Sequence, residues 1–418
     1  MADFDSVLDS IVVPDDAPAR IRDRFGLKAS EEFRLGFFGG PGDVVGTFEH
    51  WRTGEHDPRT PVIAYSEMFY SLAHKLNATG IIFSETDPLP EPVTHGFQFV
   101  HVPRARGGSG LQYRLDEHRF GQMSAQAIRE ANLHAVIVSG DCPSNLLTGI
   151  ADSTQVFLTV HNAFWQRGKR PTSLRARLRQ LRMSRAFRRV TGAICTSEEC
   201  ANQLAELGVP AGNCLTEIPQ ILDHYIADAG EKSSGVLRRL VYLGRLEPQK
   251  GVFDLLHAFD TVAEDFPDLT LDIAGEGSAG SDLESLARQS KHGGRIEMHG
   301  HLSASGVHNL LNTSDVLICP TRDDDNTFIE GLALVVVEAA LHGVPSIVSS
   351  AVPAQDLFPG ACVPFQAGNK TELTNAIRSL ANNPDTLSKL QSATRKNANR
   401  FSDRSLSWGS ALYKVLTR

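Results

Sequence analysis

From residue 34 onward, short apolar runs alternate with helix-length amphipathic segments. "LGFF", "GIIF", "FQFVHV", "HAVIVS", "TQVFLTV" and "GAICTS" read as strands. Apolar residues at helical spacing fall in 64–76, 119–131, 174–187 and 198–207. A second alternation follows, with "RLVYLG", "LTLDIAG", "RIEMHG", "DVLICP" and "PSIVSS" as strands. Three helical stretches, 371–381, 384–398 and 403–416, close the chain. Strands apolar at nearly every position must be buried on both faces, so the pattern predicts parallel sheets covered by helices.

Small polar residues accumulate in "ADAGEKSSG", which reads as a linker at 227–236. The expected fold is α/β, two Rossmann-like domains with a cleft between them. Residues 1–226 form the first domain, with 1–33 as an extension. Residues 237–400 form the second, and 401–418 form a helix that crosses back to the first. Ligands of open parallel sheets bind beyond the strand C-termini, so residues just after strands carry most weight.

Composition changes this little. The 418 residues are 41% apolar and 22% charged, with a formal charge of −8, so no global basic field recruits nucleic acid. The six cysteines are far apart and lack zinc spacing, which fits buried free thiols in a reducing compartment. The acidic N-terminus does not read as a signal peptide, and no run reaches the length of a membrane span.

The stretch "RLGFFGGPGDVVG" at 34–46 poses a question, because its glycines approach a dinucleotide-binding fingerprint. That fingerprint needs a helix opening at the third glycine. Gly54, Pro58 and Pro61 argue against one there. The glycines therefore read as a mobile loop after the first strand, with Gly40, Gly42 and Gly46 able to bring backbone close to a ligand.

The second half carries the chemistry. In "YLGRLEPQKGVFDLLHAF", Gly244 turns the chain after a strand, and Arg245 and Lys250 follow, a pair suited to a diphosphate. Further on, seven residues separate Glu330 from Glu338. Glu330 reads as the start of a helix, where amides of Gly331 and Leu332 would face an anion. Glu338 lies inside "LALVVVEAAL", a segment apolar all round, where a carboxylate needs partners. On one helix the two acids would stand about 12 Å apart.

"GRLEPQKG", "LDIAGEGS", "MHGHL", "SDVLICPT" and "EGLALVVVEAALHGVPSIVSS", in this order, resemble the donor half of retaining GT-B glycosyltransferases of the family-4 type, with its E-x7-E motif. The resemblance is strong over 237–350. "TVHNAFW" and "RFSDRSLSWGSALYKVL" extend it, the latter resembling the helix that returns to the first domain. It implies retention of anomeric configuration without a metal or other cofactor, from a UDP- or GDP-sugar donor to a sugar or lipid-linked acceptor hydroxyl. It assigns Arg245 and Lys250 to the diphosphate, Glu330 to the transferred sugar and Glu338 to the ribose hydroxyls. Gly275 and Gly277 fall where backbone approaches the nucleotide, and Gly300, His301 and Leu302 near the base. The sequence departs from many relatives at Leu332 and Ala333, which stand where they carry Phe-Gly or Leu-Pro, so the sugar pocket is not inferred. Asp323–Asp325 contain a DxD pattern, read here as acids ahead of a helix rather than as a metal site.

On the acceptor side the resemblance places His161 near the transferred sugar or acceptor; a hydrogen-bonded structural histidine is the alternative. Asn162 and Trp165 would shape the same wall, and Asp141 is an acceptor-side or turn residue. The segment 167–189 holds ten basic residues and no acid, with Leu174, Leu178 and Leu181 at helical spacing. Two readings stand: a peripheral contact with anionic membrane on the cytoplasmic face, or a solvated helix whose leucines face the core. Outside transfer chemistry, the same architecture serves nucleotide-sugar 2-epimerases and non-catalytic nucleotide-sugar binders. The pathway suggested is surface polysaccharide or glycoconjugate synthesis.

Overall fold

In the computed structural model the described residues are 5–40, 42–59, 62–87, 96–105, 110–140, 142–165, 172–222, 235–322, 330 and 332–418. The chain divides into two compact units: Met1–Phe164 with Arg170–Gln220 and Asp403–Arg418, and Trp165–Lys169 with Ile221–Ser402. Of the expected linker, only 235 and 236 are among the described residues.

The first unit is built on strands β1 (Phe33–Phe38), β2 (Ala78–Ser84), β3 (Phe97–His101), β4 (Ala135–Ser139), β5 (Gln155–Val160), β6 (Val190–Cys195) and β7 (Cys214–Thr216). They form one sheet in the order β3-β2-β1-β4-β5-β6-β7, with parallel pairing throughout. Strand β4 is buried at every position, because helices cover both faces. The C-terminal helix Trp408–Leu416 belongs to this unit, capped by the Ser407 hydroxyl and packed on β6 and on the helix Tyr65–Lys75. Trp408 is fully buried there and its indole N–H donates to Thr159 Oγ1 at 3.1 Å. Burying such a side chain contributes about 3 kcal/mol, enough to fasten a helix of this length.

The second unit contains β8 (Arg239–Leu243), β9 (Thr270–Ala274), β10 (Ile296–Gly300), β11 (Val316–Cys319), β12 (Ser346–Ser349) and β13 (Cys362–Phe365). Their order is β10-β9-β8-β11-β12-β13, again parallel. Helix Val252–Ala263 buries Val252, Leu255, Leu256, Phe259 and Val262, an i, i+3, i+4, i+7 face, against this sheet's core. In each unit the strand order reverses beside the first strand, between β1 and β4 and between β8 and β11. Those are the switch points where open parallel sheets take ligands.

Several elements differ from the sequence reading. A helix does open within the glycine stretch, Val44–Trp51. Asp43 caps it, accepting from Gly46 N–H at 2.9 Å, and Phe48 and Trp51 anchor it in the core. Gly54, with φ 80°, sits just beyond its end, a stop signal and not a breaker. Gly46 is therefore a first-turn helical residue and not part of a mobile loop. The helix expected from residue 119 begins at Gly110 and runs to Glu130. The short strands β7 and β13 and the N-terminal helices Asp5–Leu8 and Ala17–Arg24 had no counterpart in the pattern.

Candidate functional site

The second sheet's switch point is assembled from two loops. Strand β8 ends at Leu243, and the chain passes Gly244, Arg245 and a single 3-10 turn, Pro248–Lys250, before the helix Val252–Ala263. Gly251 joins turn to helix with φ 73°. A Cβ there would collide with the Pro320 carbonyl just after β11, so only glycine lets the two loops abut. Arg322 N–H donates to Gln249 O at 2.8 Å, and the Arg322 guanidinium reaches the buried Asp254 carboxylate at 3.2 Å. These contacts hold the β8 loop against the β11 loop.

Within that frame Lys250 Nζ lies 2.5 Å from Glu330 Oε2. Thr321 Oγ1 donates to the same oxygen at 3.1 Å, and Ser349 Oγ in turn holds the Thr321 carbonyl at 2.6 Å. Glu330, Thr321 and Ser349 are buried, so the carboxylate is fixed by a charge and a hydroxyl in a place shielded from water. Arg245 is exposed beside this pair in sequence, and its carbonyl accepts from the Tyr242 hydroxyl at 2.8 Å. The structure thus brings together Lys250 and Glu330, and adds Thr321, Ser349, Asp254 and Arg322, none of which the sequence reading had singled out.

Glu330 does not begin a helix. The helix opens at Leu334, and Ala333 precedes it with φ 64° and ψ 73°. A left-handed non-glycine residue at this junction turns the chain into the helix, so only Glu338 is helical and the acids are not spaced along one axis. Leu332 is buried and outside the helix; Gly331 and Asp323–Asp325 lie outside the described residues. Burial pushes the Glu338 carboxyl up to about 7, and its side chain makes no hydrogen bond among the described residues. The helix end that carries it is pinned by His342. The Nδ1–H of His342 donates to the Glu338 carbonyl at 2.8 Å, leaving Nε2 to accept from His308 Nδ1 at 2.9 Å.

The neighbouring strand ends are nearly bare of side chains. Gly244 N–H bonds the Ala274 carbonyl at 3.1 Å and Gly275 N–H the Gly300 carbonyl at 2.7 Å. A Cβ on Gly275 would strike the Gly244 carbonyl, and one on Gly277 the backbone of Leu246. Backbone from β8, β9 and β10 is thereby packed closely at these strand ends. His301 is exposed and Leu302 half-buried beyond them.

One further cluster could hold a cation: ligand-type atoms of Asp272, Glu297 and His299 all lie within 4.8 Å of one another. Arg239 Nε already stands 3.1 Å from Asp272 Oδ2, and His299 Nε2 stands 2.7 Å from Oδ1. A guanidinium in that position opposes a metal ion, so this is an Arg–Asp–His network on β9 and β10.

In the first unit His161 directly follows β5, and Thr196 Oγ1 donates to its carbonyl at 3.0 Å. Its ring lies 4.7 Å from that of Tyr65, whose hydroxyl donates to Glu217 Oε1 at 2.6 Å. Glu217 is buried, and among the described residues its Oε2 finds no hydrogen-bond partner. Burial pushes this carboxyl up to about 7. Asn162 is exposed and Trp165 buried. At the β1–β4 switch point Gly40, φ 81°, faces Ser139, and Gly42 is exposed in open space. Asp141 lies outside the described residues.

Comparison with known proteins follows this geometry. Residues 231–400 match the family of glycosyl transferases group 1, and residues 65–216 the glycosyl transferase 4-like domain. Glycogen synthase of Mycobacterium tuberculosis is 34% identical over 111 residues, 27% of this chain and 25% of that protein. Phosphatidyl-myo-inositol mannosyltransferase of the same species is 29% identical over 166 residues, covering 38% of this chain and 41% of that protein. The matches span less than half the length of these curated relatives. Among solved structures, the lipopolysaccharide outer core galactosyltransferase WaaB superposes with a TM-score of 0.61 at 15% identity, over 92% of this chain and 99% of that one. Anabaena HepE in complex with UDP gives a TM-score of 0.59 at 15% identity, over 90% and 96%. Residues 65–216 and 231–400 thus each match a glycosyltransferase domain family, and the chain has the two-domain GT-B fold of the solved glycosyltransferases it superposes on.

Proposed function

We propose that this protein is a retaining, metal-independent glycosyltransferase that moves a hexosyl unit from a UDP- or GDP-sugar to the hydroxyl of a sugar or lipid-linked acceptor. The observation that carries the reading is the buried Lys250–Glu330 pair at the second sheet's switch point, with the Glu338 carboxyl, which makes no hydrogen bond among the described residues, on the next helix. In this reading Lys250 and Arg245 take the diphosphate, Glu330 the transferred sugar and Glu338 the ribose diol. The backbone at Gly275 and Gly277 approaches the nucleotide, and Gly300, His301 and Leu302 lie near the base.

The reaction breaks the bond between the anomeric carbon and the diphosphate oxygen. The acceptor oxygen bonds that carbon on the same face, and its proton passes to a phosphate oxygen of the departing nucleoside diphosphate. The work left to the protein is charge neutralisation by preorganised groups, here an ammonium and a guanidinium. Two cations at the diphosphate remove the need for a divalent ion. His161 and the glycines Gly40 and Gly42 stand on the acceptor side. The setting is biosynthesis of surface polysaccharide or glycoconjugate.

The test is transfer in EDTA with a panel of UDP- and GDP-sugars and simple glycoside acceptors, the product anomer being read by NMR. Transfer with retention supports the reading. Inversion, strict manganese dependence, or a 2-epimerised sugar formed without acceptor contradicts it.

A further inference from the structure

The arginine-rich helix Leu174–Phe187 plays no part in the donor site, and its leucines do not face the core. Leu174, Leu178 and Leu181 are 76%, 50% and 67% exposed. At about 100° per residue these three fall within about 60° of one another on the helix surface. The residues that pack inward, Ala186 and Phe187 with the half-buried Met183 and Ala176, lie on the opposite side. The apolar stripe therefore points away from the unit to which the helix belongs. Exposed arginines flank it, Arg175 and Arg182 on one side, Arg177 on the other and Arg185 at its C-terminal end, while the exposed Arg179 lies farther round behind the first pair. No acidic residue occurs between Ser173 and Arg189.

We propose that this helix is a membrane-surface contact that lies flat on bilayers containing anionic lipid. Leucines on one line would enter the boundary between headgroups and acyl chains, and the flanking guanidinium groups would meet lipid phosphates. Nucleic acid is the other polyanion such a helix could meet. It is read through polar and cationic side chains, and three leucines aimed at it would stay in water. The stripe is what selects the bilayer.

Flotation of the full chain with vesicles of phosphatidylcholine, with and without phosphatidylglycerol, tests this at low salt. The chain floats with the anionic vesicles and not with the zwitterionic ones. Leu174→Gln, Leu178→Gln and Leu181→Gln together, which keep every arginine, cut the bound fraction about tenfold. Arg175→Gln, Arg179→Gln and Arg182→Gln together do the same. Every substituted side chain is exposed, and thermal melting checks that both variants remain folded. The proposal is overturned by no flotation with anionic vesicles, or by a leucine triple that floats like the wild type. It is also overturned if single-stranded RNA binds as tightly as the vesicles and the leucine triple leaves that binding unchanged.

Discussion

Lys250 Nζ stands 2.5 Å from Glu330 Oε2 across 80 residues of chain, and the contact joins the loops that follow β8 and β11. Lys250 is mostly and Glu330 almost wholly buried, whereas Arg245 is exposed. The two cations that the proposed function assigns to one diphosphate thus have different structural weight. Lys250→Ala leaves a buried carboxylate with Thr321 but without its countercharge, and should cost about 2 kcal/mol of stability. Arg245→Ala should leave stability within about 0.5 kcal/mol. Both should lower turnover about 100-fold or more. Denaturant titration beside steady-state kinetics measures the two effects separately; wild-type turnover in both variants contradicts the diphosphate assignment.

If Glu338 takes the ribose diol as proposed, its carboxyl, pushed up to about 7 by burial, should make donor binding pH-dependent. Ribose hydroxyls bond the ionised form, so binding draws the pKa down and releases a proton. Affinity then tightens as pH rises through 7, by up to about tenfold between pH 6 and 8. The diphosphate of a nucleotide sugar does not titrate in that window. Calorimetry at several pH values reads the slope, and Glu338→Gln should flatten it and weaken binding.

Ala333 holds φ 64° at the entry to the Glu338 helix. A left-handed alanine costs about 1–2 kcal/mol, partly offset in a glycine variant by the extra freedom of its unfolded chain. Ala333→Gly should stabilise the protein by about 0.5–1 kcal/mol. A lowered melting temperature would show that the methyl group packs usefully at this junction.

Glu217 carries its raised pKa, about 7, into the folded state of the first unit. Between the unfolded value near 4.5 and about 7 the folded protein holds the extra proton, so this group lowers stability as pH rises through that window. Glu217→Gln removes the titration and should flatten the pH dependence, gaining up to about 3 kcal/mol at pH 8 relative to pH 4.5. Tyr65 loses an ionisable partner but keeps an acceptor in the glutamine carbonyl. Melting curves across pH check the slope, and an unchanged slope contradicts the account of Glu217.

Both halves of the α/β pattern were legible because β4, β8 and β11 are apolar runs with little polar interruption. Glu338 stood out as a charge inside an apolar helix and Lys250 only by its place in the loop after a strand; the Lys250–Glu330 contact, 80 residues apart, left no local signal. What was hidden depends on contacts distant in sequence. The helix at 44–51 opposes the local signal of Gly46, which Asp43, Phe48 and Trp51 override, and Gly54, read as a breaker, marks its end instead. Glu330 seemed to open a helix because apolar spacing continued past it; the left-handed Ala333 delays the start to Leu334. The Tyr65–Glu217 bond spans 152 residues and leaves no local trace. In the helix Leu174–Phe187 periodicity located the leucine stripe but not its direction, because one line of leucines fits a core or a membrane equally.

The most direct test of the donor site is calorimetric titration of the full chain with UDP- and GDP-sugars, repeated on Lys250→Ala and Glu338→Gln. One nucleotide sugar should bind the wild type, with affinity falling about tenfold or more in each variant. Binding of no nucleotide sugar, or equal affinity in all three proteins, would contradict the account.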